Sequence, residues 1–222
     1  DYAQVFAEDI KVYGLSVSTL VGETNVAAEM SVRQDMSLVA TGNTVILPGN
    51  TTADGGDNSA FPRGDTFHFN ASMITILNEN SLWDAATFIG EFAFNRRLNI
   101  SANADQLDPL ATKDASAIQF IFTPDYFQVM PGLDMQVPIG FGFGIEGRSS
   151  VNGVLFPSEH GGNVSVGLKG DYNRMWRFSM TYNKYLGDAG SVIQYDAPVP
   201  TLSYENFHGD RDFISLSVQR TF

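Results

Sequence analysis

The chain has 222 residues, 43% hydrophobic and 17% charged, a globular composition that excludes a collagen, a coiled coil or a low-complexity tail. Thirteen Lys and Arg against 25 Asp and Glu give a formal charge of −12, which repels phosphate backbones and argues against a nucleic-acid partner. With no cysteine, and only His68, His160 and His208 as imidazoles, neither a disulfide framework nor a structural zinc site is expected.

No run of about 18 apolar residues encodes a transmembrane helix. The start, Asp1-Tyr2-Ala3-Gln4, lacks the basic and apolar regions of a signal peptide, so a cytosolic chain, or a mature or partial chain without its leader, is expected. Near-neutral mean hydropathy also fits an outer-membrane β-barrel, in which only every second residue meets lipid.

Periodicity separates these cases. From Val12 to Val21 one parity carries Tyr13, Leu15, Val17 and Val21 while the other carries Gly14, Ser16 and Ser18, the period of two of a strand with unlike faces. After a tight turn at Gly22-Glu23-Thr24-Asn25, Val26, Ala28, Met30 and Val32 oppose Ala27, Glu29, Ser31 and Arg33. Phe67, Phe69 and Met73 then oppose His68, Asn70 and Ser72; Phe88, Phe92 and Phe94 oppose Glu91 and Asn95; Ile118, Phe120 and Phe122 oppose Gln119 and Thr123. Beyond Pro131-Gly132-Leu133-Asp134, Met135, Val137, Ile139, Phe141 and Phe143 oppose Gln136, Gly140, Gly142 and Gly144. Val166, Leu168 and Tyr172 oppose Ser165, Lys169 and Asp171; Trp176, Phe178, Met180 and Tyr182 oppose Arg177, Ser179, Thr181 and Asn183; Ile214, Leu216, Val218 and Phe222 oppose Ser215, Ser217, Gln219 and Thr221.

The spacing predicts about nine strands, near 10–21, 26–39, 65–78, 86–99, 116–130, 134–147, 162–173, 175–186 and 210–222, long enough to cross a bilayer at a tilt. No convincing amphipathic helix is found. Short connections at 22–25, 79–85, 131–134 and 173–175 alternate with long ones at about 40–64, 100–114, 147–161 and 187–209, the pattern of an up-and-down outer-membrane barrel. A soluble sandwich or lipocalin-like barrel would have shorter strands and would need to bury this many Phe, Tyr and Trp in a small interior.

The fold expected is therefore all-β, a transmembrane antiparallel barrel over residues 1–222. Val166, Leu168, Phe178, Met180, Ile214, Leu216 and Val218 are its predicted lipid-facing residues. The opposite parity offers Glu29, Arg33, His68, Asn70, Glu91, Asn95, Gln119, Lys169, Asp171, Arg177, Asn183 and Gln219 as lumen-lining groups. Both signs occur among them, which suits ion pairs across the wall or a polar pathway, and a hydrogen-bonded, plugged interior is the competing reading. Gly140, Gly142 and Gly144 leave one parity bare, allowing close approach of a plug, a loop or a substrate.

The chain ends Ile214-Ser215-Leu216-Ser217-Val218-Gln219-Arg220-Thr221-Phe222, which resembles the C-terminal strand signal read by the barrel assembly machinery, with Phe222 as its terminal aromatic. Arg220 departs from that pattern, where an apolar residue is usual, and is expected to snorkel to the interface. Glu8-Asp9-Ile10, Val12 to Ser18, Glu29 to Arg33, Val129-Met130-Pro131-Gly132-Leu133-Asp134, Val137-Pro138-Ile139 and Asp210 to Val218 together resemble the C-terminal half of the Gram-negative outer-membrane family catalogued as domain of unknown function 1302. The resemblance implies a longer secreted protein of which this is the C-terminal portion. It also implies a periplasmic partner and an inner-membrane exporter of the resistance-nodulation-division type, handling hydrophobic compounds. Strand parity gives a second reason to expect an incomplete wall, since single-chain bacterial barrels normally have an even strand number. Missing chain or other subunits would then complete it.

Other motifs are weaker. Gly142 to Gly147 matches G-x-G-x-x-G, but that fingerprint needs a strand followed by a helix, and this segment alternates as one strand. Asn50-Thr51-Thr52 and Asn163-Val164-Ser165 match a glycosylation sequon by coincidence. His208 beside Asp210 and Asp212 is the one constellation able to activate water; no G-x-S-x-G elbow accompanies it, so no enzyme is expected. Asp54, Asp57, Asp105, Asp108, Asp114, Asp188 and Asp196 in the outer loops could hold Ca²⁺ or bridge lipopolysaccharide, although no EF-hand spacing exists and no cofactor is otherwise expected. The expected role is a channel or transporter for small or hydrophobic molecules in a Gram-negative outer membrane, with a non-conducting docking barrel for envelope partners as the alternative.

Overall fold

A computed structural model describes residues 5–40, 54–56, 58–195 and 200–222. Asp57, Asp196 and the Asn50-Thr51-Thr52 sequon lie outside the described residues. Long strands with β-branched and aromatic residues at alternate positions follow one another: β1 (Lys11–Val21), β2 (Thr24–Ser37), β3 (Arg63–Leu77), β4 (Ala85–Arg97), β5 (Asp114–Met130), β6 (Leu133–Gln136), β7 (Ile139–Glu146), β8 (Gly162–Tyr172) and β9 (Trp176–Leu186). A two-stranded hairpin, β10 (Ile193–Gln194) with β11 (Thr201–Leu202), precedes the last strand, β12 (Phe213–Arg220). Among the described residues there is no α-helix, and the regular structure outside strands is two 3₁₀ turns, Ala104–Gln106 and Gly153–Leu155.

One antiparallel sheet joins β1-β2-β3-β4-β5, then β6 and β7 end to end, then β8-β9-β12. The segment expected as one strand at 134–147 is two, because Pro138 has no N–H to give the ladder. Register survives the gap: Gln136 pairs Lys169 and Ile139 pairs Val166 on one count, while Val137 N–H reaches the Pro124 carbonyl at 3.1 Å. Asp35, in the left-handed region at φ 55°, marks a bulge where the β2–β3 register shifts between Arg33 and Met36.

The short connections are built by turn chemistry. Val21 pairs Thr24 around Gly22, which takes φ 62°. Met130 pairs Leu133 around Pro131-Gly132, where proline presets the first residue and Gly132 supplies φ 81°. Asn80 Oδ1 accepts the N–H of Leu82 at 2.7 Å and of Trp83 at 3.3 Å, folding the β3–β4 turn.

Apart from Ala86 of β4 and Ala115 and Ala117 of β5, the buried apolar residues lie outside the main sheet. Every residue of β1 and β12 is exposed, and the two strands are the unpaired edges of the sheet among the described residues. The buried apolar cluster is instead Val39, Leu202 and Tyr204, packed against Leu110, Ala111, Val154 and Ile193. These residues come from all four long connections, so the loops meet one another at one end of the sheet. Asp108 is fully buried there, accepting the N–H of Leu110 at 2.9 Å and of Leu202 at 3.0 Å. Burial, with Asp108 nearby, pushes the Tyr204 phenol well above its ordinary range.

Candidate functional site: the polar face of the sheet

Register decides which side chains are neighbours. On one face the rows across β2, β3 and β4 run Arg33–Thr66–Arg97, then Ser31–His68–Asn95, then Glu29–Asn70–Ala93. The next row, Ala27–Ser72–Glu91–Gln119–Gly142–Asn163, extends through β5 and β7 to β8. Nearest the short turns of this face, Lys169–Ser179–Ser217 and Asp171–Arg177–Gln219 cross β8, β9 and β12. All twelve candidate lumen residues therefore share one face of the sheet, Asn183 joining it opposite Ser165 and Phe213. The other face carries Val166–Tyr182–Ile214, Leu168–Met180–Leu216 and Phe178–Val218, with Phe88–Phe122–Ile139 further along the sheet.

The twelve do not form one site. Glu29, Arg33, His68, Asn70 and Asn95 border a cavity of about 260 Å³, roofed by Asn152 and Phe156 from the 147–161 connection. Ser149, in that connection, donates its hydroxyl to Asn95 Oδ1 at 2.9 Å, and Thr66 Oγ1 lies 3.0 Å from His68 Nε2. Lys169, Asp171, Arg177 and Gln219 border a second cavity of about 450 Å³ at the turn end, with Asp125 and Gln136. Glu91 and Gln119 sit between the two groups. Glu91 accepts an amide hydrogen from Asn70 on one oxygen and from Gln119 on the other, the second at 3.1 Å.

Ion pairing on this face is sparse. Of the twelve residues, all described, Arg177 and Asp171 form a salt bridge at 3.1 Å, and no other two of the twelve do. At Glu91 amide-to-carboxylate bonds from Asn70 and Gln119 take the place of an ion pair. The glycine parity holds a loop at one point: a Cβ on Gly144 would collide with the Ser158 carbonyl, and His160 N–H donates to the Gly144 carbonyl at 2.8 Å. At Gly140 and Gly142 the neighbours are side chains, since a Cβ would meet Ser165 Oγ at 2.5 Å and Asn163 Oδ1 at 3.1 Å. Gly142 and Gly144 lie within β7, so the G-x-G-x-x-G run has no following helix.

The remaining candidates fall elsewhere. The His208 ring packs on Phe207 at 4.4 Å and Tyr185 at 5.3 Å between centroids. Asp212 accepts from Tyr182 hydroxyl at 3.0 Å and Tyr185 N–H at 2.9 Å, while Asp210 lies 3.3 Å from Arg211. Asp54 closes its own turn through Gly56 and Asn58 N–H, and Asp114 pairs with Arg96. No three His, Asp or Glu groups come together at metal-binding range among the described residues. Arg220 lies on the apolar face with its guanidinium 5.1 Å from the Trp176 ring and 4.6 Å from that of Phe222.

Sequence reasoning missed one feature of this face. Ile74, Ile89 and Ile121 form a row across β3, β4 and β5 on the polar side, with Leu20 of β1 on the same row beyond Asn25. Each isoleucine taken singly has the parity of a polar position, and that parity was the available signal.

These features define an antiparallel all-β protein whose sheet has one apolar face, one polar face and a loop core at one end. The family model described as "Protein of unknown function (DUF1302)" matches residues 1–222, and the chain belongs to that family. No curated protein and no solved structure matches the chain.

Proposed function

We propose that this chain forms wall of a transmembrane β-barrel in a Gram-negative outer membrane, and that the barrel passes small or hydrophobic molecules. One observation carries the reading: the apolar face has nothing over it. Val166, Leu168 and Met180, on strands paired on both sides, are still 47%, 38% and 49% exposed, while the buried apolar cluster of Val39, Leu202 and Tyr204 lies in the connections. In water such a continuous apolar face would drive association; in lipid it is the solvated surface. The edges β1 and β12 would leave unpaired backbone groups in hydrocarbon at several kcal/mol each, so further strands or other subunits close the wall. Lipopolysaccharide and lipid, the barrel assembly machinery, and a periplasmic partner with an inner-membrane exporter are the partners this reading entails.

A second reading, a non-conducting docking barrel, is favoured by one finding: the 147–161 connection lies across the polar face at Gly144 and Asn95. Single cysteines placed along β9 in this cysteine-free chain test both. Alternate residues Phe178, Met180 and Tyr182 should resist an aqueous thiol reagent and be quenched by lipid-borne nitroxide, while Arg177, Ser179 and Thr181 should react. A uniform pattern would overturn the membrane reading. Ion conductance in planar bilayers then separates a pore from a plugged scaffold.

A further inference from the structure

Midway along the polar face, a cavity of about 270 Å³ is mostly apolar, with one polar side. Ile89 and Ile121 form its turn-side wall and Glu91 and Gln119 its loop-side wall, with Gly140 and Gly142 beside them. Both isoleucines are exposed on a face that is otherwise mostly polar, and Ile74 continues the strip on the neighbouring strand.

Hydrogen-bond direction fixes what the acceptor wall can take. Gln119 spends an amide hydrogen on Glu91, so its carbonyl oxygen turns elsewhere and meets no donor among the described residues. Glu91 is acceptor-only and keeps lone pairs beyond the two it uses. Asn163 and Ser165, which can donate as well as accept, complete the cavity's polar side. The Glu91 carboxylate therefore sets the preference of the wall, attracting a group that donates hydrogen bonds and repelling a carboxylate. The two walls are two residues apart on β4 and on β5, about 7 Å. The volume is below the roughly 300–1,000 Å³ of sites that enclose a whole drug-sized ligand, so it holds part of a molecule.

We infer that this cavity is a binding station for an amphipathic molecule with an apolar body and a hydroxyl or ammonium head. The body lies on Ile89, Ile121 and Ile74, and the head bonds to Glu91 and Gln119. The inference rests on the polar face being the inside of the barrel.

Photolabelling of the membrane-embedded protein tests it, with a long-chain alcohol bearing a diazirine in its chain and residue-level mapping by mass spectrometry. Label is expected at Ile74, Ile89 and Ile121 as well as at residues of the apolar face such as Phe88 and Phe122. Excess dodecanol or dodecylamine should remove the polar-face label and spare the apolar-face label, with dodecanoate about tenfold less effective, since it brings no donor and a like charge. Ile89→Ser with Ile121→Ser should abolish the polar-face label while retaining the other, which also reports that the variant is folded and inserted. Label confined to the apolar face would overturn the station and leave the membrane reading standing. Equal label on both faces, insensitive to every competitor, would overturn the membrane reading and the station with it. Dodecanoate competing as well as dodecanol would overturn the assignment of a donor head.

Discussion

Asp108 and Leu202 are 94 residues apart in sequence, yet the Asp108 carboxylate accepts the Leu202 N–H at 3.0 Å inside the loop core. The same side chain holds Leu110 N–H, so one carboxylate fastens the connection between β4 and β5 to the one between β9 and β12. Two backbone donors depend on it. Asp108→Ala should cost about 2–4 kcal/mol by leaving both N–H groups unpaired in a buried place. Hydrogen exchange should quicken at Leu110 and Leu202 before it does in β3 and β4; unchanged protection at both would contradict this account.

The 147–161 connection touches the polar face where β7 has no side chain. Gly144→Val should displace Ser158 and His160, because a Cβ there meets the Ser158 carbonyl and cannot be relieved by a side-chain rotation. If that connection narrows a pore, the variant's single-channel conductance should rise; in a plugged scaffold it stays at zero. Melting of the sheet, followed by circular dichroism, separates a local displacement from general unfolding.

Arginine scanning distinguishes the two faces energetically. Val166→Arg and Leu168→Arg should each cost about 2–4 kcal/mol in reversible unfolding from lipid vesicles if they lie near the midplane. Ser165→Arg, on the opposite face, should cost far less. Gly167 is a poor comparison position, because a Cβ there lies 2.9 Å from Pro138 Cγ and 3.1 Å from Thr181 Oγ1. Equal penalties at Ser165 and Val166 would remove the physical basis of the membrane assignment.

Arg220 replaces an expected apolar residue with a cation held against two rings, Trp176 and Phe222. Removing it by Arg220→Ala should lower stability by about 0.5–1 kcal/mol, the range for an exposed cation–π contact. Trp176→Leu in the same background should then add nothing from this contact. A double-mutant cycle in urea reads the coupling directly, and additive losses would show that the rings and the guanidinium do not cooperate.

Much of the sheet was legible because a strand's faces follow from counting. Leu168, Met180 and Leu216 were assigned together from alternation within three separate segments, and the ladder sets them side by side. Gly22 and Pro131-Gly132 announced their hairpins through turn chemistry alone. The break at Pro138 was also written in the sequence, as a residue without an N–H, but alternation ran on through it and hid it. The row of Ile74, Ile89 and Ile121 was not legible, because each isoleucine looks like an isolated exception until three strands are set in register. Likewise both charge signs on one parity left ion pairs or a polar pathway open, and the register gave Arg177 with Asp171 as the salt-bridged pair among the twelve.

By itself the sequence determined the strands, their two faces and the tight turns, since these depend on interactions between residues near in the chain: a backbone period of two, proline's fixed φ and glycine's access to positive φ. Tertiary structure decided the rest. It set which polar residues meet, which oxygens remain open beside Ile89 and Ile121, and that the buried core would be made by four distant loops. Those outcomes depend on the pairing of segments tens of residues apart, and no local period encodes it.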